Sequence, residues 1–182
     1  MAPIGVPSPE PTLRIHVRIL YQPLHLTIEE MVEAARRVYA PAGVRLEIGT
    51  RGELDLPRFG IVDVGDCLRG VLTPDIEQLF AERDGVPDGE VVVYFVRRTL
   101  KILNGCAAHP EGAPGAVVTA RATRWTLAHE LGHVLGLGHC SDTGRLMFGS
   151  GTRLLTRFPP LLVPAEVALI RGSPLLRQRG DP

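Results

Sequence analysis

The sequence predicts an α+β domain with sandwich-like, α/β-type layering. It comprises a twisted mixed sheet of about five strands with an antiparallel strand at one edge, two main helices packed on the sheet, and a smaller C-terminal subdomain with one helix. Three observations carry this. Residues 13–48 read as strand, helix and strand joined by short links, the pattern of a crossover onto a parallel pair. Glu90 to Arg97 is a continuous β-branched and aromatic run, which suits a strand buried on both faces. Leu103 to His109 is short, glycine-bearing and closed by Pro110, which suits an edge strand.

In order, Leu13 to Leu20 alternates apolar and polar residues, with Leu13, Ile15, Val17 and Ile19 on one face and His16 on the other, solvated one. Thr27-Ile28-Glu29-Glu30 is a capping box, and Ile28, Met31, Val32, Ala35, Val38 and Tyr39 follow at helical spacing until Pro41 and Gly43 stop the helix. Val44 to Ile48 alternates again as a second strand. Gly49 to Gly70 reads as loop with a short strand near Phe59 to Val64; Asp63 and Asp66 there read as solvated or capping carboxylates. Thr73-Pro74-Asp75 opens a short helix to about Arg83. Gly115 to Thr119 supplies a strand before a helix that begins near Thr123, and Pro164 starts a final helix through about Arg171. Residues 1–11, with Pro3, Pro7, Pro9 and Pro11, read as a flexible leader and 173–182 as a flexible tail. One domain, 12–172, lies between them.

The chemistry concentrates at His129-Glu130-Leu131-Gly132-His133-Val134-Leu135-Gly136-Leu137-Gly138-His139, an H-E-x-x-H-x-x-G-x-x-H pattern. Four residues on a helix advance about 400°, so His129 and His133 leave one face roughly 6 Å apart, a spacing one tetrahedral zinc can bridge. Glu130, on the flank, can reach a metal-bound water without ligating the metal. Gly136 permits a backbone reversal that returns His139 as third ligand and leaves a fourth position open, the mark of a catalytic rather than a structural zinc site. Leu127, Leu131, Val134 and Leu135 fall on the opposite, core-facing side.

Composition narrows the partners. The chain has 182 residues with 20 basic and 20 acidic side chains, net charge zero and no long run of one sign, so neither a nucleic-acid nor a membrane surface is indicated. The longest apolar runs, such as Val91 to Val96, are too short to span a bilayer. No signal-peptide architecture opens the sequence, which fits a cytoplasmic protein or a secreted one whose export signal has been removed.

At His129, Glu130, His133, Gly136 and His139, with Met147 eight residues on, the chain resembles the metzincin zinc peptidases. The resemblance implies one catalytic zinc held by His129, His133 and His139, with Met147 in a tight "Met-turn" beneath the metal. It divides the domain into an upper part, 12–138, and a lower part, 139–172. Cys140, directly after the third histidine, is similar to archaemetzincins, but the further cysteines of their second zinc site are missing. The brief link from His139 to Met147 is similar to matrixins, without their propeptide cysteine motif. Gly149 stands where astacins and serralysins carry a tyrosine.

The expected activity is that of a monomeric endopeptidase acting on peptide or protein substrates, with Glu130 as general base. The substrate would add as a strand along Gly105, Cys106, Ala107 and Ala108. A pocket shaped by Phe148 to Phe158 would take an apolar side chain after the cut bond. Two other readings stand beside it: a non-catalytic zinc- or peptide-binding module, and a gluzincin-type peptidase with Glu166 as third ligand. Three cysteines, Cys67, Cys106 and Cys140, allow one disulfide; Cys106–Cys140 would tie the edge strand to the zinc loop, and Cys67 could pair with either. A Cys140 thiolate capping zinc, or buried free thiols, are the alternatives.

Overall fold

A computed structural model describes residues 10–68 and 70–177. Its elements run β1 (Thr12–Ile19), α1 (Ile28–Tyr39), β2 (Arg45–Glu53), β3 (Ile61–Val62), α2 (Pro74–Phe80), β4 (Val91–Val96), β5 (Arg98–Thr99), β6 (Gly105–Cys106), β7 (Gly115–Thr119), α3 (Thr126–Val134), α4 (Pro164–Arg171) and β8 (Leu176–Arg177). The main sheet has the order β2-β1-β4-β7-β6, with β8 added to β1. β2, β1, β4 and β7 are mutually parallel, and β6 is antiparallel to β7 at the edge. This is the mixed sheet read from the sequence, with six strands rather than about five. β3 and β5 form a separate small pair.

Local chemistry explains the long elements. The Thr27 hydroxyl accepts from the Glu30 amide at 3.1 Å while the Glu30 carboxylate accepts from the Thr27 amide at 2.8 Å, so the capping box of α1 is closed. Gly43, at φ 65°, ends the turn that follows α1. All six side chains of β4 are buried, because helices or loops cover the sheet on both sides. One core joins α1 and α3 to Leu13, Ile15, Val93 and Val118; the other joins α2 to Val92, Tyr94 and Val117. Leu127 and Leu131 of α3 are wholly buried, worth roughly 1.5–3 kcal/mol each. The Tyr39 hydroxyl donates to the Ala128 carbonyl at 2.7 Å and fastens α1 to α3. Burial pushes the Tyr39 phenol pKa up, so that bond persists in alkaline solution.

Four features depart from the sequence reading. β2 continues to Glu53 where loop was expected from Gly49, because it stays paired with β1 as far as Ile19. His16, expected in solvent, is 2% exposed: the second core roofs that face, and alternation reports polarity without reporting a roof. Its Nε2 pairs with Glu90, and its Nδ1 accepts from the Thr50 amide at 3.1 Å. Gly49 makes the room, since a Cβ there would lie 2.6 Å from His16 Cε1. In the expected tail, Leu176 and Arg177 pair with Leu13 and Thr12, and Arg177 reaches the same Glu90 carboxylate. The expected leader falls largely on residues 1–9, outside the described residues, as do 178–182 of the tail; Pro11 is already docked, its carbonyl accepting from the Arg45 amide at 3.0 Å.

The fourth departure is the disulfide. Cys106 bonds to Cys67, with Cα atoms 5.7 Å apart, and Cys140 is free. The pairing of Cys106 with Cys140 is therefore corrected. In the two-residue strand β6, Cys106 turns to the sheet face that carries α2, toward Cys67, and away from the side of Cys140. Alkylation without reductant should label one thiol, Cys140, identified by mass spectrometry; three labelled thiols would contradict this pairing. Reduction, or Cys67→Ser, should lower stability by roughly 2–4 kcal/mol in urea unfolding, since the bridge closes a loop with a separation of 39 residues.

Candidate metal centre

α3 lays one face in the core and turns the other to a cavity of about 690 Å³. His129 and Glu130 stand on that cavity face, each 6% exposed, and His133 follows one turn on. The helix ends at Val134 with Leu135 as its C-cap, and Gly136, at φ 98°, reverses the chain as its lack of a Cβ allows. The reversal carries His139 back over the two helical histidines. His139 Nε2 lies 3.0 Å from His133 Nε2 and 3.3 Å from His129 Nε2.

Hydrogen bonding sets the ring tautomers. His129 Nδ1 donates to the Leu146 carbonyl at 2.8 Å, and His133 Nδ1 donates to the Leu137 carbonyl at 2.9 Å. A carbonyl can only accept, so in the neutral ring each Nδ1 carries the proton and each Nε2 presents a lone pair. Burial holds the His129 pKa down to about 4, with the Leu146 bond opposing and the neighbouring rings assisting; burial also lowers that of His133. The rings stay neutral and the Nε2 lone pairs converge.

A tetrahedral zinc with Zn–N bonds of about 2.0–2.1 Å needs its nitrogens about 3.3 Å apart. The Nε2 separations and the donor set fit that requirement. Among the described residues, His129, His133 and His139 form the group of ligand atoms close enough to hold a metal, all within 4.8 Å of one another. Asp63 and Asp66 do not join such a group; Asp63 accepts from the Gly65 amide, and Asp66 pairs with Lys101.

The segment carrying Met147 is bound to this cluster. The Leu146 carbonyl takes the His129 bond, and the Cys140 amide donates to the Met147 carbonyl at 2.8 Å. Met147 is fully buried, and a Cβ on Gly132 would come 2.5 Å from its sulfur, so that glycine clears its place against α3. Glu166 lies elsewhere: it pairs with Arg145 at 2.8 Å and accepts from the Val163 amide at 2.9 Å. It is outside the metal-ligating group, which removes it as the third ligand. Cys140 is outside that group too.

Of the expected edge-strand residues, Gly105, Ala107 and Ala108 line the cavity, whereas Cys106 does not. β6 is the last strand in the sheet order, so its outer edge is unpaired within the sheet. The opposite wall includes Gly149 to Thr152; Phe148 to Phe158 contributes only through those four residues. Thr126 is a cavity residue that sequence reading passed over, its hydroxyl 3.0 Å from that of Thr152. Thr126 precedes His129 by three positions and shares its helix face, the one signal that could have found it.

No protein-family model matches the chain, and no curated protein matches it. Solved structures do. The chain is similar to metalloproteinase-II from Bacteroides fragilis, at 16% identity and a TM-score of 0.65, over 93% of this chain but 54% of that one. It thus spans about half the length of that protein. It is similar to an archaemetzincin from Methanopyrus kandleri, at 20% identity and a TM-score of 0.60, covering 88% of this chain and 94% of that one. A zinc-dependent peptidase from Methanocorpusculum labreanum follows at 14% identity and 0.52, covering 86% and 99%. These likenesses establish a common fold.

Burial also pushes the Glu130 pKa up from the usual carboxylate value to about 8. In the metal-free protein the folded state then keeps a proton that the unfolded state has released, from about pH 4.5 to about 8, so stability falls as pH rises through that window. Glu130→Gln removes this contribution. The stability of the variant relative to wild type should increase between pH 5 and pH 8, by up to roughly a few kcal/mol. Urea unfolding of both metal-free proteins at the two pH values measures it, and an unchanged difference would contradict the shift.

Proposed function

We propose that this chain is a zinc-dependent endopeptidase of the metzincin type, with His129, His133 and His139 holding one zinc ion and Glu130 acting as general base. The observation that carries this is the convergence of three imidazole Nε2 atoms beside a buried carboxylate, in one cavity bordered by an unpaired strand edge. Zinc held there would polarise the scissile carbonyl, lower the pKa of a bound water toward about 7, and favour the ionised form of Glu130.

The chain's own residues do the rest. Glu130 takes the proton of the attacking water on a carboxylate oxygen, the water oxygen bonds to the carbonyl carbon, and the proton passes to the amide nitrogen as the C–N bond breaks. The backbone of Gly105 to Ala108 receives the substrate in extended form, holding it by main-chain hydrogen bonds. Leu146 and Leu137, through their carbonyls, keep the imidazoles of His129 and His133 in the ligating tautomer. Met147 supports the cluster from beneath as the Met-turn residue. The upper part, residues 12–138, and the lower part, residues 139–172, form the two walls of the cleft in a monomer. The chain's organisation is closest to a minimal form with archaemetzincin-like and matrixin-like traits.

Glu130→Ala should retain zinc and fold but lose roughly 10²–10⁴ in rate or more, measured on a peptide library with cut sites read by mass spectrometry. A chelator should abolish cleavage and zinc should restore it. If Glu130→Ala cuts as well as wild type, the general-base assignment fails. If the zinc-loaded wild type cuts no unfolded protein, the chain is a binding module instead.

A further inference from the structure

Gly105 occupies a strand beside the base, yet its backbone does not require glycine: among the described residues, positive φ falls on other glycines and on Cys67. What demands glycine is space. A Cβ at this position would come 2.6 Å from Glu130 Cγ, 2.6 Å from Oε1 and 2.8 Å from Cδ. Among the described residues no hydrogen bond holds the Glu130 carboxylate, although the residue is only 6% exposed. The direction of that carboxylate is therefore set by what surrounds it.

Neither backbone can give way. Glu130 is fixed in α3 between core residues, and its neighbour His129 is bonded to Leu146. β6 is held by pairing of Gly105 with Val118, by the bond from the Thr119 amide to the Asn104 carbonyl at 2.9 Å, and by the disulfide on Cys106. A methyl added to Gly105 would displace the free end of the Glu130 side chain, the one part of the contact able to swing.

We infer that Gly105 is a positioning residue for the reaction: its missing side chain leaves the slot in which the Glu130 carboxylate stands, and the wall of that slot aims the base. This rests on the assignment of Glu130 as general base. A misplacement of about 1 Å in a reacting group can cost roughly 10²-fold in rate, so a small substitution suffices to test it.

Gly105→Ala is compared with wild type, and Gly105→Ala/Glu130→Ala with Glu130→Ala. The expected result is a kcat lower by roughly 10²-fold for Gly105→Ala, with KM, melting temperature and zinc affinity (by competition with a chromogenic chelator) nearly unchanged. In the Glu130→Ala background, where no carboxylate remains to displace, the same substitution should cost at least about tenfold less than it does in the wild type. The inference is overturned if Gly105→Ala keeps wild-type kcat, if its cost is the same in both backgrounds, or if zinc affinity falls along with the rate. Should Gly105→Ala fail to fold, Gly105→Ala/Glu130→Ala is expected to fold, because the clash is with Glu130; a double variant that also fails overturns the inference. Wild-type activity in Glu130→Ala alone would defeat the base assignment and is distinguishable from all of these.

Discussion

Three imidazole Nε2 atoms stand within 4.8 Å of one another, and those of His129 and His133 each present a lone pair. The chain can hold such an arrangement only if it fixes the rings from behind. It does so with backbone: the Leu146 carbonyl behind His129 and the Leu137 carbonyl behind His133. Both carbonyls belong to the segment beyond the Gly136 reversal, so the reversal delivers the third histidine and also the acceptors that orient the first two. The folding of residues 136–149 back onto α3 and the tautomers of its histidines are one event. A substitution that opens the reversal therefore disturbs all three ligands, including the two that remain on an intact helix.

The same economy governs the cleft. β6 is only two residues long, too short to hold position by its ladder alone. Its partner strand β7 supports one side and the bridge to Cys67 the other. The bridge also brings residues 66–68 to the cavity wall. Rigidity at this edge matters because a substrate strand and the Glu130 carboxylate both take their bearings from it.

Much of this was legible in the sequence, and the reasons differ by element. The capping box before Ile28 and the wholly apolar run in β4 are local signals, and local signals survive folding. The histidine spacing was readable because a helix converts sequence distance into angle without reference to the rest of the chain. His16 was not readable: alternation gave its face correctly, but whether a second layer covers that face depends on where residues 50–80 travel. The same non-local path decides the cysteine pairing, since Cys67 lies between β3 and α2 and meets Cys106 on the sheet face those elements cover. Leu176 and Arg177 looked like tail because two residues carry no periodicity; their partners, Thr12 and Leu13, lie at the other end of the chain. Gly105 was readable as an edge residue, whereas the nearness of Glu130 required coordinates.

The pairing of Leu176 and Arg177 with Leu13 and Thr12 makes the described chain almost a ring, with entry and exit side by side on the neighbouring strands β1 and β8. Adjacent ends permit circular permutation, and a short linker from Arg177 to Thr12 would leave the connectivity of both cores unaltered. The geometry also has a mechanical consequence. Tension applied between the two ends would load that short ladder from its open side, drawing Arg177 from Glu90 as the Thr12–Arg177 pair opens. The domain would begin to yield at the seam beside His16, which shares Glu90 with Arg177.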